Sequence, residues 1–283
     1  MEYSNFKKIL NDYIFEKSKA NLLIKVSKYP ERYLGLFRPT KPKAKLLQNL
    51  LQSHEIRFGD AFEKLIEEYL IELGYEILDK SLDYQNDKLS VDQFFRKNDI
   101  YYFVEQKIRD DHDSTKKRGQ INNFEKKLES IISKVGDNNL FGYFYFIDPS
   151  LEKNKNFYSE EISKMSNDYG VNLFVCYGIE FFEKLNARFV WAEIIDYLKN
   201  WRMELPEIPE INFDINPVQS FNEIKNLSPS VFRKLFQNDE LFNEIVLTLF
   251  PETKTLTLLR KYFESENEKI YKTLARNLRE RGI

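Results

Sequence analysis

Asp92 stands thirteen residues before Glu105, and Lys107 follows Glu105 at a spacing of two. The stretch holding the second pair, "IYYFVEQKI" (100–108), is apolar until its charged end. Successive side chains of a strand alternate faces, so Phe103, Glu105 and Lys107 share one side and Tyr102, Val104, Gln106 and Ile108 the other. Asn98-Asp99 reads as a turn that folds "LSVDQFFRKN" (89–98) back along this strand and lays Asp92 beside Glu105. Two carboxylates and an ammonium then converge at one edge of a sheet. That set suits metal-assisted phosphodiester hydrolysis. Facing carboxylates fit a hard cation such as Mg²⁺, with Mn²⁺ able to substitute, and such an ion keeps several waters. The ion polarises the scissile phosphate and acidifies an attacking water. A lysine beside it orients or deprotonates that water and offsets charge growing on phosphorus. Glu105 and Lys107 meet only on a strand; on a helix a spacing of two diverges. The plain alternative is a salt bridge at a strand end, with Asp92 a turn or edge residue.

Asp92, then Glu105-Gln106-Lys107, resembles the PD-(D/E)xK signature of type II restriction endonucleases and related nucleases, except that Val91 stands where the signature has Pro. The resemblance covers roughly residues 55–180. It implies an α/β (α+β) fold whose nuclease core is a central mixed β-sheet flanked by helices. It also implies sequence-specific, Mg²⁺-dependent hydrolysis of double-stranded DNA, with a DNA methyltransferase as genetic partner. On this reading Asp92 and Glu105 hold the metal and Lys107 completes the catalytic set. The preceding helix, "GDAFEKLIEE", offers Glu63 or Glu68 as an accessory acid; Glu63 is preferred because it follows Gly59 and lies nearer the helix start. The texture of "RPTKPKAK" and "EQKIRDDHDSTKKRGQ" is similar to restriction enzymes of the HpyII and MboII kind.

Behind the strand come Arg109, Lys116, Lys117 and Arg118, interleaved with Asp110, Asp111 and Asp113. Ser114 or Thr115 is placed to cap the next helix, whose first turn is then rich in cations. That opposes the helix dipole, and a bound DNA phosphate offsets it. Gln120 projects from the same helix and can reach the site. The alternative is a solvated charged loop, with His112 simply exposed within it. Nearer the N-terminus "FRPTKPK" presents Arg38, Lys41 and Lys43 on a stretch stiffened by two prolines, which suits tracking phosphates. Its plain reading is a connection between helices.

These elements belong to a chain of 283 residues, 42% hydrophobic and 31% charged, which is a globular composition. The net charge of −2 excludes a polycation, yet residues 1–57 hold twelve Lys/Arg against five Asp/Glu, enough for one positive face. The lone Cys176 excludes an internal disulfide and a cysteine zinc site, and fits a reducing cytoplasm. The N-terminus lacks an apolar signal core, and no apolar run suits a membrane.

Periodicity places helices at 3–27, from near Lys43, at 57–75, 115–135, 158–168 and 179–199, with strands in "YEILDKSL", "NLFGYFYFID" and "VNLFVCYG". The order in the centre is α-β-β-β-α-β-α-β-α. The expected organisation is a basic, helical, DNA-contacting region at 1–54, a catalytic core at 55–204, a Pro-rich linker at 205–217 and a helical region at 218–283 for DNA recognition or dimerisation. A symmetric DNA site calls for a homodimer. Competing readings are a repair or junction-resolving nuclease of the same fold, and a non-catalytic DNA-binding protein.

Overall fold

The computed structural model describes residues 1–16, 18–85, 87–110, 112–209 and 211–283. Asp111 lies outside them. In chain order the elements are α1 (Tyr3–Phe15), α2 (Ser18–Lys28), α3 (Glu31–Leu34), α4 (Pro42–Glu72), β1 (Glu76–Ile77), β2 (Ser81–Tyr84), β3 (Asp87–Ser90), β4 (Gln93–Lys97) and β5 (Ile100–Lys107). There follow α5 (Ser114–Val135), β6 (Leu140–Phe146), α6 (Lys155–Tyr169), β7 (Asn172–Tyr177), α7 (Ile179–Lys184) and α8 (Arg188–Glu204). The chain ends in α9 (Pro217–Ile224), α10 (Pro229–Gln237), α11 (Asp239–Leu241) running through a π-helical turn (Phe242–Val246) into α12 (Leu247–Leu249), then α13 (Lys254–Ser265) and α14 (Lys269–Glu280).

Two compact units result: residues 1–10 with 59–204, and residues 11–58 with 205–283. The first is an α/β unit around a five-stranded mixed sheet of order β1-β4-β5-β6-β7, flanked by helices, as expected of the nuclease core. β1, β4 and β5 pair antiparallel, while β5, β6 and β7 pair parallel. Asn98 adopts a left-handed φ of 55° and turns β4 into β5 in the register Gln93↔Val104 to Lys97↔Ile100. β6 lies between two parallel neighbours and is apolar along its length, because both its faces are covered. On one face Phe103 and Phe144 stack on Phe124 of α5 and Tyr158 of α6. On the other, Tyr143 and Tyr145 meet Phe181 of α7.

Gly142 of β6 lies opposite Phe103, and an added Cβ there would run into the Phe103 ring and reach Leu173 Cδ2 at 2.6 Å. Both neighbours belong to the buried core, so neither can step aside without moving others. Gly142→Ala is therefore expected to destabilise the unit by about 1–3 kcal/mol through overpacking, read as a lower urea midpoint at unchanged m-value.

Several boundaries differ from the sequence pattern for local reasons. "LSVDQFFRKN" is two strands, because Val91 N–H turns away to bond Lys80 O at 3.1 Å; Asp92 thus precedes β4 and stands at the sheet's end. The two helices expected over 43–75 are one, α4. Gly59 does not break it: burial of Phe62, Leu65, Ile66 and Tyr69 in the turns that follow outweighs one glycine's cost of about 1 kcal/mol. Asn186 at φ 55° separates α7 from α8. The helix expected over 3–27 is α1 and α2.

The second unit is helical. Leu22, Leu23, Val26 and Tyr33 share a core with Phe232, Phe236, Leu259 and Leu278. Its helix starts are legible: Asn216 and Ser228 cap α9 and α10, each followed by Pro in the first turn. Part of the stretch expected as a linker is built into this unit. Phe213 is buried, and Asp214 accepts N–H groups from Glu252 (2.9 Å) and Thr255 (2.8 Å). Among the described residues no helix is long and apolar enough to cross a membrane.

Candidate active site

The antiparallel register that pairs Gln93 with Val104 brings Asp92 next to Glu105, one rung beyond. Asp92 Oδ2 accepts the backbone N–H of Gln106 at 2.5 Å, which fixes the carboxylate against the end of β5. Lys107 reaches back between the two acids. Its Nζ donates to Glu105 Oε1 at 2.7 Å and to Gln106 O at 2.9 Å, and lies 3.7 Å from Asp92 Oδ2. The ammonium thus makes two hydrogen bonds and one longer ion pair.

The electrostatics follow from crowding. Burial, then the neighbouring Glu105, push the Asp92 carboxyl above its usual range against the pull of Lys107. Burial opposes the charge of Lys107, but Glu105 and Asp92 outweigh it and hold its pKa above the ordinary value. Glu63, on α4, is pushed up to about 7 by burial and then by Asp92, with Lys80 opposing. Gln93, fully buried, ties this helix to β4 by donating to Glu63 O at 2.7 Å. Glu68 is held by Lys64 at 2.7 Å instead, so of the two acids weighed on α4 it is Glu63 that feels the site.

Lys127, which carried no role in the sequence reading, completes the arrangement. Its Nζ donates to Glu105 Oε2 at 2.5 Å, and both side chains are nearly sealed from solvent. Lys127 lies three residues after Phe124 and four before Ile131, so it interrupts the apolar stripe of α5. A lysine inside such a stripe was the available signal, since a buried ammonium requires a partner.

Asp92 and Glu105 are hard oxygen donors whose mutual repulsion a divalent cation would relieve, so the donor set fits one. Among the described residues no group of three or more His, Cys, Asp or Glu stands together as an ion site.

The chain matches the model of the HinfI type II restriction endonuclease family in two overlapping segments, residues 2–84 and 70–202. The chain belongs to the HinfI family. No curated protein and no solved structure matches it. A type II restriction endonuclease cleaves double-stranded DNA at a specific sequence, and such enzymes generally use divalent metal ions. The match ends at residue 202, so the HinfI-family segment takes in the whole sheet and the acidic cluster and stops before α9–α14.

In this HinfI-family chain the cations expected to meet DNA lie in two places. Arg109, Lys116 and Arg118 are exposed around the start of α5, and Lys117 covers the Phe157 ring at 4.2 Å. The helix is capped by Asp113, not by Ser114 or Thr115: its carboxylate accepts Lys116 N–H at 2.8 Å and supplies the negative charge that the cationic first turn lacks. Gln120 Oε1 accepts the Tyr158 hydroxyl at 2.7 Å. Asp110 is fully buried and structural, accepting from Asn154 and Tyr177. Arg38, Lys41 and Lys43 are exposed in the other unit.

The raised pKa of Glu63 has a signed consequence. A carboxyl at about 7, against an ordinary 4.5, favours folding fully below pH 4.5 and loses that contribution as pH rises to about 7. In EDTA, Glu63→Gln is therefore expected to gain stability over the parent as pH rises from 5 to 8, by on the order of 1–2 kcal/mol after solvent screening. A pH-independent difference in thermal midpoint would refute this.

Proposed function

We propose that the chain is a Mg²⁺-dependent, sequence-specific endonuclease of the PD-(D/E)xK kind that hydrolyses phosphodiester bonds of double-stranded DNA, with Mn²⁺ able to substitute. What supports it most is Lys107, bridging Asp92 and Glu105 at the end of β5. Asp92 and Glu105 would hold the ion. When bound, that ion would polarise the scissile phosphate and make the attacking water more acidic. Lys107 orients the water and offsets charge on the phosphate oxygens. Lys127 holds the far oxygen of Glu105 and so fixes its rotamer. Glu63 serves as the accessory acid beside these two carboxylates, its own carboxyl raised by burial and by Asp92. Arg109, Lys116, Lys117, Arg118 and Gln120 serve the DNA near the site. Arg38, Lys41 and Lys43 serve it from the second unit, with α9–α14 available for base recognition or dimerisation. In the cell the enzyme works in the cytoplasm beside a methyltransferase that protects host sites, and as a homodimer where the site is palindromic.

The test is incubation of the purified chain with phage DNA in Mg²⁺, Mn²⁺ or EDTA. Discrete fragments in metal and none in EDTA are expected. Cutting confined to branched DNA, or intact DNA throughout, would overturn the proposal.

A further inference from the structure

We propose that Leu36 and Phe37 form an apolar wedge that enters the base stack of duplex DNA. This rests on the DNA-cleaving reading above and assigns to the second unit a way of gripping the duplex that does not involve the acidic cluster. The two residues occupy the corners of a turn closed by Arg38 N–H to Gly35 O at 3.2 Å. Turn corners ordinarily hold Gly, Pro, Asn, Asp or Ser. Here they hold the two most exposed large hydrophobic side chains among the described residues, Leu36 at 92% and Phe37 at 101%. A single exposed leucine needs no explanation; an adjacent Leu-Phe pair displayed whole does.

The turn is braced on both sides. Before it, Tyr33 is buried and Leu34 packs on the helical core, and Gly35 N–H bonds Glu31 O at 3.0 Å. A Cβ at Gly35 would stand 2.5 Å from that same carbonyl, so the backbone path depends on glycine. After it, Pro39 and Pro42 restrict the chain and Leu46 is buried. The tip is thus presented preformed.

Its surroundings choose the partner. Residues 38–45 hold Arg38, Lys41, Lys43 and Lys45 and no acid. Arg38, Lys41 and Lys43 make no ion pair among the described residues, and Lys45 donates to the neutral Gln48. An apolar tip followed directly by cations that carry no ion pair complements a base step within and a phosphate backbone beside it. Phe and Leu are residues that proteins insert between base steps.

The experiment titrates a fluorescent 40-bp duplex of mixed sequence with the full chain in EDTA at several KCl concentrations, and probes thymine unstacking with permanganate. Leu36→Ser/Phe37→Ser should keep the parent's thermal midpoint, bind about 5- to 100-fold more weakly with an unchanged salt slope, and lose permanganate-reactive thymines. Lys41→Ala/Lys43→Ala should instead lower the salt slope by about 2. Unchanged affinity and reactivity in the wedge variant would overturn the proposal. So would a variant that only dissolves a homodimer in sedimentation, which would make the tip a self-association surface. A parent chain that binds no duplex in EDTA yet cuts phage DNA in Mg²⁺ would overturn the wedge alone, whereas one that neither binds nor cuts would overturn the DNA-cleaving reading itself, which separates the two failures.

Discussion

Lys107→Met is expected to lower DNA cleavage by about two to three orders of magnitude while changing duplex affinity in EDTA less than a few-fold. Lys107 is held positive by Glu105 and Asp92, which more than offset its burial, so its contribution at neutral pH is a fixed charge and fixed N–H donors. Methionine keeps the length and removes both. Arginine keeps the charge, but its planar fork does not fit between carboxylates spaced for one ammonium, so Lys107→Arg should stay impaired. Asp92→Asn is the companion: it still offers an oxygen to Gln106 N–H, yet removes one of the two charges proposed to hold the ion. It should cut as poorly as Lys107→Met and lose the response to rising Mg²⁺. Cleavage within tenfold of the parent in Lys107→Met, measured on matched DNA under single-turnover conditions, would remove Lys107 from the proposed mechanism.

The part of this geometry that was legible in sequence is the part set by local rules. Period-2 alternation put Glu105 and Lys107 on one face, and a two-residue turn at Asn98-Asp99 fixed the register that brings Asp92 beside them. The parallel strands β6 and β7 announced themselves as apolar runs. What escaped is what only packing decides. Asp92 precedes its strand because Val91 bonds elsewhere. Residues 11–58 share a core with residues 205–283, a pairing that no local pattern encodes. The cap of α5 is Asp113, which stands next to two hydroxyl residues of similar capping propensity, so only the backbone geometry separates them. Lys127 was visible as a flaw in the stripe of α5; identifying its partner required knowing which strand that stripe covers.

That partner makes the loss of Lys127 costly to the fold as well as to the site. Glu105 is 4% exposed and Lys127 6% exposed, and their oxygen and nitrogen stand 2.5 Å apart. Removing one member of a buried pair leaves a desolvated charge behind, at about 3–5 kcal/mol. Lys107 still reaches the other oxygen of Glu105, so Lys127→Met should fall near the lower end. A urea melt would show it as a lower midpoint. Glu105→Gln added to Lys127→Met should recover part of the loss, because both members of the buried pair are then uncharged while Lys107 keeps Asp92 as its acidic neighbour, and the double-mutant cycle measures the coupling directly. A divalent cation gives an independent reading. If Asp92 and Glu105 hold it, saturating Mg²⁺ should stabilise Lys127→Met more than the parent, since it replaces a positive charge that the variant lacks. Equal stabilisation of the two by Mg²⁺ would mean that the ion and Lys127 do not share Glu105, and would move the metal away from this carboxylate.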